Sequence, residues 1–145
     1  RGWHPTVRGL IEAFPETFIW ALHDRAELPD WTRGRVTLLG DACHPMLPFM
    51  AQGAAQSIED GAALAALLAT TPGDVPAALA RYEALRKPRA TRLQQASAAN
   101  RTRFHLPDGP EQQKRDALMA NAGDRSIANI GWLYAHDAAD VGTAV

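Results

Sequence analysis

Residues 40–60 read GDACHPMLPFMAQGAAQSIED, and this one stretch holds most of the groups in the chain that could do chemistry. Asp41 follows a short apolar run, 35–39, closed by Gly40. A carboxylate just beyond the carboxyl end of a buried strand stands where open α/β sheets bind their ligands, and it can accept two hydroxyl hydrogen bonds, as a ribose or ribityl chain would offer. An Asp after Gly also serves as a plain turn cap, and the residues alone leave both readings open. Pro45 and Pro48 restrict the segment between them to extended conformations, so it can lie along a flat surface without collapsing into helix. Gln52, Gly53 and Ala54 then open a helix whose unpaired amides and positive dipole end favour an anionic or electron-rich group. Gly53 lets that group approach with no Cβ in the way. A hydroxyl acceptor, a rigid apolar strip and an anion-favouring helix start together fit a ligand with a polyol and a ring able to carry negative charge. Reduced flavin is such a ligand.

The elements that must position these groups follow from the flanking pattern. The run 35–39 is short, rich in Val and Thr, and bounded by glycines, which predicts a strand buried on both faces, of the kind found in parallel sheets. No partner strand for such a sheet is evident, so either the run is not a strand or its neighbours lie elsewhere. Residues 53–68 are dominated by alanine with Ile58, Leu64, Leu67 and Leu68, a helix able to approach other backbones closely. Asp74 with Pro76 predicts the start of a second, long helix that runs through Pro88, with a kink there, to about Arg103. Upstream, Val7, Leu10, Ile11 and Phe14 predict a short amphipathic helix capped by Thr6 and stopped by Pro15. Residues 17–22 are aromatic and β-branched, a predicted strand ending at the charged pair Asp24 and Arg25. Two further helices are predicted over 111–121 and 124–136.

The bulk composition bounds the class of function. With 145 residues, 46% hydrophobic and 21% charged, the chain is of ordinary globular composition. A net charge of -1 gives no electrostatic reason for binding nucleic acid or anionic membranes. Locally, Arg81, Arg86, Lys87, Arg89, Arg92, Arg101 and Arg103 stand against the single acid Glu83, which reads as a solvated helix face or a docking surface for an acidic segment. Cys43 is the only cysteine, so no intrachain disulfide forms and a cytoplasmic setting is the default. The five histidines show no metal-ligand spacing, so no metal site is expected. No apolar run reaches the roughly 18 residues a membrane span needs.

The 28 residues from Gly34 to Gly61, GRVTLLGDACHPMLPFMAQGAAQSIEDG, resemble the second FAD-binding motif of the class A flavoprotein monooxygenases, single-component aromatic hydroxylases with the hydroxybenzoate hydroxylase fold. The salicylate hydroxylase-like branch is the most similar, with WALHDR and Trp31 upstream and RYEALRKPR downstream also resembling it. The resemblance implies an α/β parent, Rossmann-like with a substrate-domain sheet, of which this chain is a mostly helical part with about two strands. It implies three regions: 1–34 as the end of the substrate-binding region, 35–70 as the C-terminal part of the FAD-binding domain, and 71–145 as a C-terminal helical region. Because no Gly-x-Gly-x-x-Gly occurs, the chain is expected to be the C-terminal portion of such an enzyme, inactive alone.

Carried over by position, the resemblance implies that Gly40 and Asp41 bind the ribityl side of FAD and that Pro48 lies beside the isoalloxazine on the reaction side. It implies that Gln52, Gly53 and Ala54 face the pyrimidine end of the ring. His44 is the one histidine placed to move a proton, although a conformational role is the favoured reading; Glu59 and Asp60 read as structural supports. Cys43 and Ala51 stand where relatives commonly have Ala and Gly. The implied reaction uses NADH or NADPH, FAD, O2 and a small aromatic substrate, a phenol or hydroxylated heteroaromatic acid, with a C4a-hydroperoxyflavin as oxygen donor. The bare sheet edge and apolar faces would favour association with another copy or with the rest of the enzyme. The competing expectations are a non-enzymatic helical module that uses its basic face, and a flavoprotein halogenase or epoxidase on a similar scaffold.

Overall fold

Gln56, Asp60, Ala63 and Leu67 recur at intervals of four, three and four residues along one helix, and all four are buried. That spacing keeps them on one face, and the face is covered by a second helix whose buried positions are Ala78, Leu79, Tyr82, Arg86, Ala90, Leu93 and Ser97. Alanines at Ala63 and Ala90, neither with any exposed surface, let the two helices approach closely. Trp31, Cys43, Leu67 and Tyr82 complete the core around them.

The computed structural model describes residues 2–121 and 125–141. In chain order these form α1 (Pro5–Glu12), a hairpin of β1 (Thr32–Arg33) and β2 (Val36–Thr37), 3-10 turns at Gly40–Ala42 and Pro48–Met50, α2 (Gly53–Thr70), α3 (Val75–Phe104), α4 (Pro110–Ala120) and α5 (Arg125–Tyr134). A mostly helical chain with two strands is what the sequence led us to expect. Asp74 caps α3 by accepting the Ala77 amide at 3.1 Å, and the helix continues through Pro88. Asp124, the expected first residue of the last helix, lies outside the described residues. None of the described helices is long and apolar enough to cross a membrane.

Three local expectations are corrected. Residues 17–22 form no strand; Phe18, Ile19 and Trp20 are 72%, 100% and 81% exposed, because no second strand among the described residues offers them hydrogen bonds. The run 35–39 contributes only Val36–Thr37, paired antiparallel with Thr32–Arg33 through the Thr32–Thr37 and Arg33–Val36 registers, and Val36 is 68% exposed rather than buried on both faces. Gly34, at φ 61°, supplies the positive φ that a two-residue hairpin loop requires, so the chain folds back on itself there. Finally, α1 is capped by His4, whose Nδ1 accepts the Thr6 amide at 3.3 Å, and its apolar face carries no buried residue.

Candidate functional site

The turn that carries Asp41 is held from inside the protein. Gly40 adopts φ +62°, and a Cβ at that position would sit 2.7 Å from Ser57 Oγ, so both backbone and space require glycine. Its N–H donates to Asp60 Oδ2 at 3.0 Å, and its carbonyl accepts the amides of Cys43 and His44, each at 2.9 Å. Asp41 itself is exposed.

Beyond the turn, the chain runs extended through Pro45 to Leu47, and α3 satisfies its carbonyls one residue in two. Gln94 Nε2 donates to Pro45 O at 3.0 Å, Ser97 Oγ to Leu47 O, and Asn100 Nδ2 to Phe49 O at 3.1 Å. Donors three residues apart on α3 thus meet alternate residues of the 45–49 segment, the last of them within the 3-10 turn at Pro48–Met50. The chain then turns at Ala51, which has φ 53° and ψ 36°, the only non-glycine residue with positive φ among those described. From there it enters α2.

These segments enclose a cleft of about 440 Å³. Asp41, Pro48, Gln52, Gly53 and Ala54 all line it, together with Met46, Leu47, Ala51 and Ser57. Five of the six residues expected to bind a cofactor therefore share one cavity, and the sixth, Gly40, stands behind Asp41. The first turn of α2 has no capping side chain, whereas α1 and α3 are capped by His4 and Asp74. The Asp41 carboxylate and a helix start with no side-chain cap thus line the same space.

Behind the cleft lies a buried ionic network. Asp60, with no exposed surface, accepts from Gly40 N and His44 Nε2 (2.6 Å) through Oδ2 and from Arg86 Nε (2.7 Å) through Oδ1. Arg86 also donates to Glu59 Oε2 and to Gln56 Oε1, both at 2.7 Å, and Arg89 donates to both oxygens of Glu59, at 2.8 and 3.0 Å. Burial opposes the charge on both acids. For Glu59 the hydrogen bonds from Arg89 and Arg86 prevail, and for Asp60 those from His44 and Arg86, so both carboxyls titrate below their ordinary range. Burial pushes the Cys43 thiol the other way, up to about 12, with the Asp60 charge adding to the effect.

Residues 11–97 match the family described as the FAD binding domain. The chain belongs to the FAD binding domain family. Among relatives, 3-amino-4-hydroxybenzoate 2-monooxygenase PtnB3 of Streptomyces platensis is 46% identical over 98% of this chain and 35% of its own length. Salicylate hydroxylase of Pseudomonas putida is 41% identical over 94% of this chain and 31% of its own. The 6-hydroxynicotinate 3-monooxygenase of Bordetella bronchiseptica is 55% identical over 68% of this chain and 26% of its own. A solved salicylate hydroxylase substrate complex superposes with a TM-score of 0.68 at 33% identity, covering 84% of this chain and 29% of that one. The chain spans about a third of the length of the curated relatives that it matches over nearly its whole length.

Within this FAD binding domain, His44 is set apart from the other expected site residues. It has no exposed surface, its ring lies 5.3 Å from that of Trp31, and it is not among the residues lining the cleft. The fold does gather Cys43, His44 and Asp60 so that their ligand atoms lie within 4.8 Å of one another, which the scattered sequence positions did not suggest. Asp60 accepts from Gly40, His44 and Arg86, whereas Cys43 Sγ donates to Gly40 O at 3.3 Å and touches neither partner of the trio through a hydrogen bond. The basic stretch is also reassigned. Arg86 and Arg89 point inward to Glu59, Lys87 donates to Pro29 O, and Arg92 stacks 3.7 Å over the Trp132 ring. With Arg81 donating to Thr71 Oγ1 at 3.5 Å, five of the seven bases are thus partnered within the chain. The residues the sequence reading missed are Gln94, Ser97 and Asn100; polar residues at a spacing of three on a helix expected to pack were the available signal.

Proposed function

We propose that this chain forms one wall of the flavin pocket of an FAD-dependent monooxygenase that uses NADH or NADPH and O2 to hydroxylate a small aromatic substrate. The observation that carries the reading is that Asp41 and the uncapped first turn of α2 line the same cleft. The named reactions of the relatives act on 3-amino-4-hydroxybenzoate, salicylate and 6-hydroxynicotinate, which point to a hydroxylated aromatic or heteroaromatic acid.

The cleft residues suit FAD in kind. Asp41 accepts hydrogen bonds from ribityl hydroxyls. The backbone at Gln52, Gly53 and Ala54, with the dipole of an 18-residue helix behind it, favours negative charge on the ring. When bound, FAD supplies the electron transfer and the oxygen activation. Met46, Leu47 and Pro48 present an apolar wall that keeps water from that side of the cleft. Pro48 stands on the reaction side, its ring unable to donate a backbone hydrogen bond. His44 acts through conformation, holding its Nε2 proton on Asp60. On this reading, residues 1–34 end a substrate-binding region, 35–70 complete the FAD-binding domain and 71–145 form the helical region packed on it. A reducing cytoplasm suits a chain whose only cysteine is buried and free, and the exposed apolar surface of 3–22 suits burial against the rest of the enzyme or a second copy.

The test is direct. The intact protein carrying this chain is expected to purify yellow, and Asp41→Ala to weaken FAD binding at least tenfold, about 1.4 kcal/mol, in a flavin fluorescence titration. An Asp41→Ala protein that keeps a full complement of FAD at unchanged affinity would sink the proposal.

A further inference from the structure

Asp41 is bracketed by two side chains that reach the backbone of its two neighbours from different parts of the fold. On one side the Gly40 N–H donates to the buried Asp60, and on the other the Ala42 carbonyl accepts from Arg25 Nη2. Between them, the Gly40 carbonyl is held by the Cys43 and His44 amides. We infer that Asp60 and Arg25 are positioning residues that set the direction of the Asp41 carboxylate across the cleft, an inference that rests on the flavin reading of that cleft.

The geometry supports this because a three-residue 3-10 turn has little rigidity of its own. The peptide units at 39–40, 40–41 and 42–43 are each tied down, so the backbone on both sides of Asp41 is restrained while its side chain stays exposed. The two anchors differ in kind. Asp60 is itself fixed by Arg86 and His44 at 2.7 and 2.6 Å, with no exposed surface, so it holds the turn to α2 and α3. Arg25 is exposed and belongs to a segment with no regular secondary structure, so it can be altered without emptying the core. A charged donor on a carbonyl makes a strong hydrogen bond, and a shift of about 1 Å in a carboxylate that must meet two hydroxyls is enough to lose both bonds.

The two ideas separate in a double-mutant cycle read by FAD affinity and by the visible spectrum of the bound flavin, using the holoenzyme. Arg25→Met is expected to weaken FAD binding about tenfold and to shift the flavin absorption bands, and Arg25→Lys, which keeps a donor, to recover most of both. In an Asp41→Ala background, Arg25→Met is expected to have no further effect, since its influence passes through that carboxylate. Asp60→Asn is expected to weaken binding in the same direction, with a loss of stability that the Arg25 variants do not show. Loss of FAD on Asp41→Ala with no effect of Arg25→Met, or with an Arg25→Met effect of equal size in both backgrounds, overturns the positioning role and leaves the flavin site standing. Unchanged affinity on Asp41→Ala overturns the site and this inference together.

Discussion

Arg86 Nε and Asp60 Oδ1 lie 2.7 Å apart at the centre of the α2–α3 interface, with 1% and 0% of their side chains exposed. A charge that far from water is tolerated only when its lone pairs and donors are all used, and here Gly40, His44, Gln56 and Glu59 use them. The same carboxylate that neutralises Arg86 also fixes the turn bearing Asp41, so the packing of two helices and the shape of the cleft depend on one side chain.

Arg86→Met should therefore be severely destabilising. It leaves the buried Asp60 without its cation, while the half-buried Glu59 keeps Arg89, a loss of about 3–5 kcal/mol for a broken buried pair. Chemical denaturation should show the midpoint falling; a variant within about 0.5 kcal/mol of the parent, the range of ordinary surface changes, would contradict the network.

Acid should expose the same network. Glu59 and Asp60 both titrate below their ordinary values of 4.5 and 3.8 in the folded protein. The unfolded chain then binds protons more readily than the native one, so their stabilisation is complete above those values and disappears as pH falls through the folded ones. Burial also holds the His136 imidazole below its ordinary value of 6.5, so stability measured by denaturation should begin to decline as pH falls through that value and decline more steeply below about pH 5. In an Asp60→Asn variant the decline should be shallower, and an unchanged slope would mean that Asp60 contributes nothing to it.

Two residues of the motif should respond oppositely to exchange between glycine and alanine. Ala51 holds a left-handed conformation that costs an L-residue about 1–2 kcal/mol, of which glycine's greater unfolded freedom cancels about 0.5–1. Ala51→Gly should leave stability unchanged or raise it by up to about 1.5 kcal/mol. Gly40→Ala combines φ +62° with a Cβ 2.7 Å from Ser57 Oγ and 3.2 Å from Ser57 Cβ. It should lose at least about 1 kcal/mol, and adding Ser57→Ala should restore only part of that. Thermal unfolding of the three variants gives the comparison.

Cys43 should be chemically silent in the native protein. Its thiol is 1% exposed, donates to Gly40 O at 3.3 Å and has its pKa pushed up to about 12. Because the thiolate is the reactive form, a thiol reagent at pH 8 should leave the folded protein unlabelled and modify one cysteine after denaturation. Rapid labelling of the native form would show that the core around Trp31 and His44 opens.

Much of the site was legible because its signals are local. The Gly40-Asp41 turn, the extended 45–48 segment and the open start of α2 each depend on residues within a few positions of one another: a positive φ that glycine permits, a φ that proline restricts, a helix beginning with no cap. The same holds for the Asp74 cap of α3 and the alanines that mark its contact with α2. Order in the sequence also placed Asp41 and Gly53 close enough to share a cleft.

What the sequence left open depended on partners far away in the chain. Whether residues 17–22 become a strand is decided by a neighbour that can accept their hydrogen bonds, and whether 35–39 pairs in parallel or folds back is decided at Gly34 by what lies alongside. Asp60 and Arg86 are 26 residues apart, Arg25 and Ala42 are 17 apart, and Ser97 and Leu47 are 50 apart. Residue type says that each of these groups needs a partner, because a buried charge or carbonyl left alone costs more than the fold can bear. Which partner it meets is set only when α2 and α3 pack and bring those distant positions within hydrogen-bond reach.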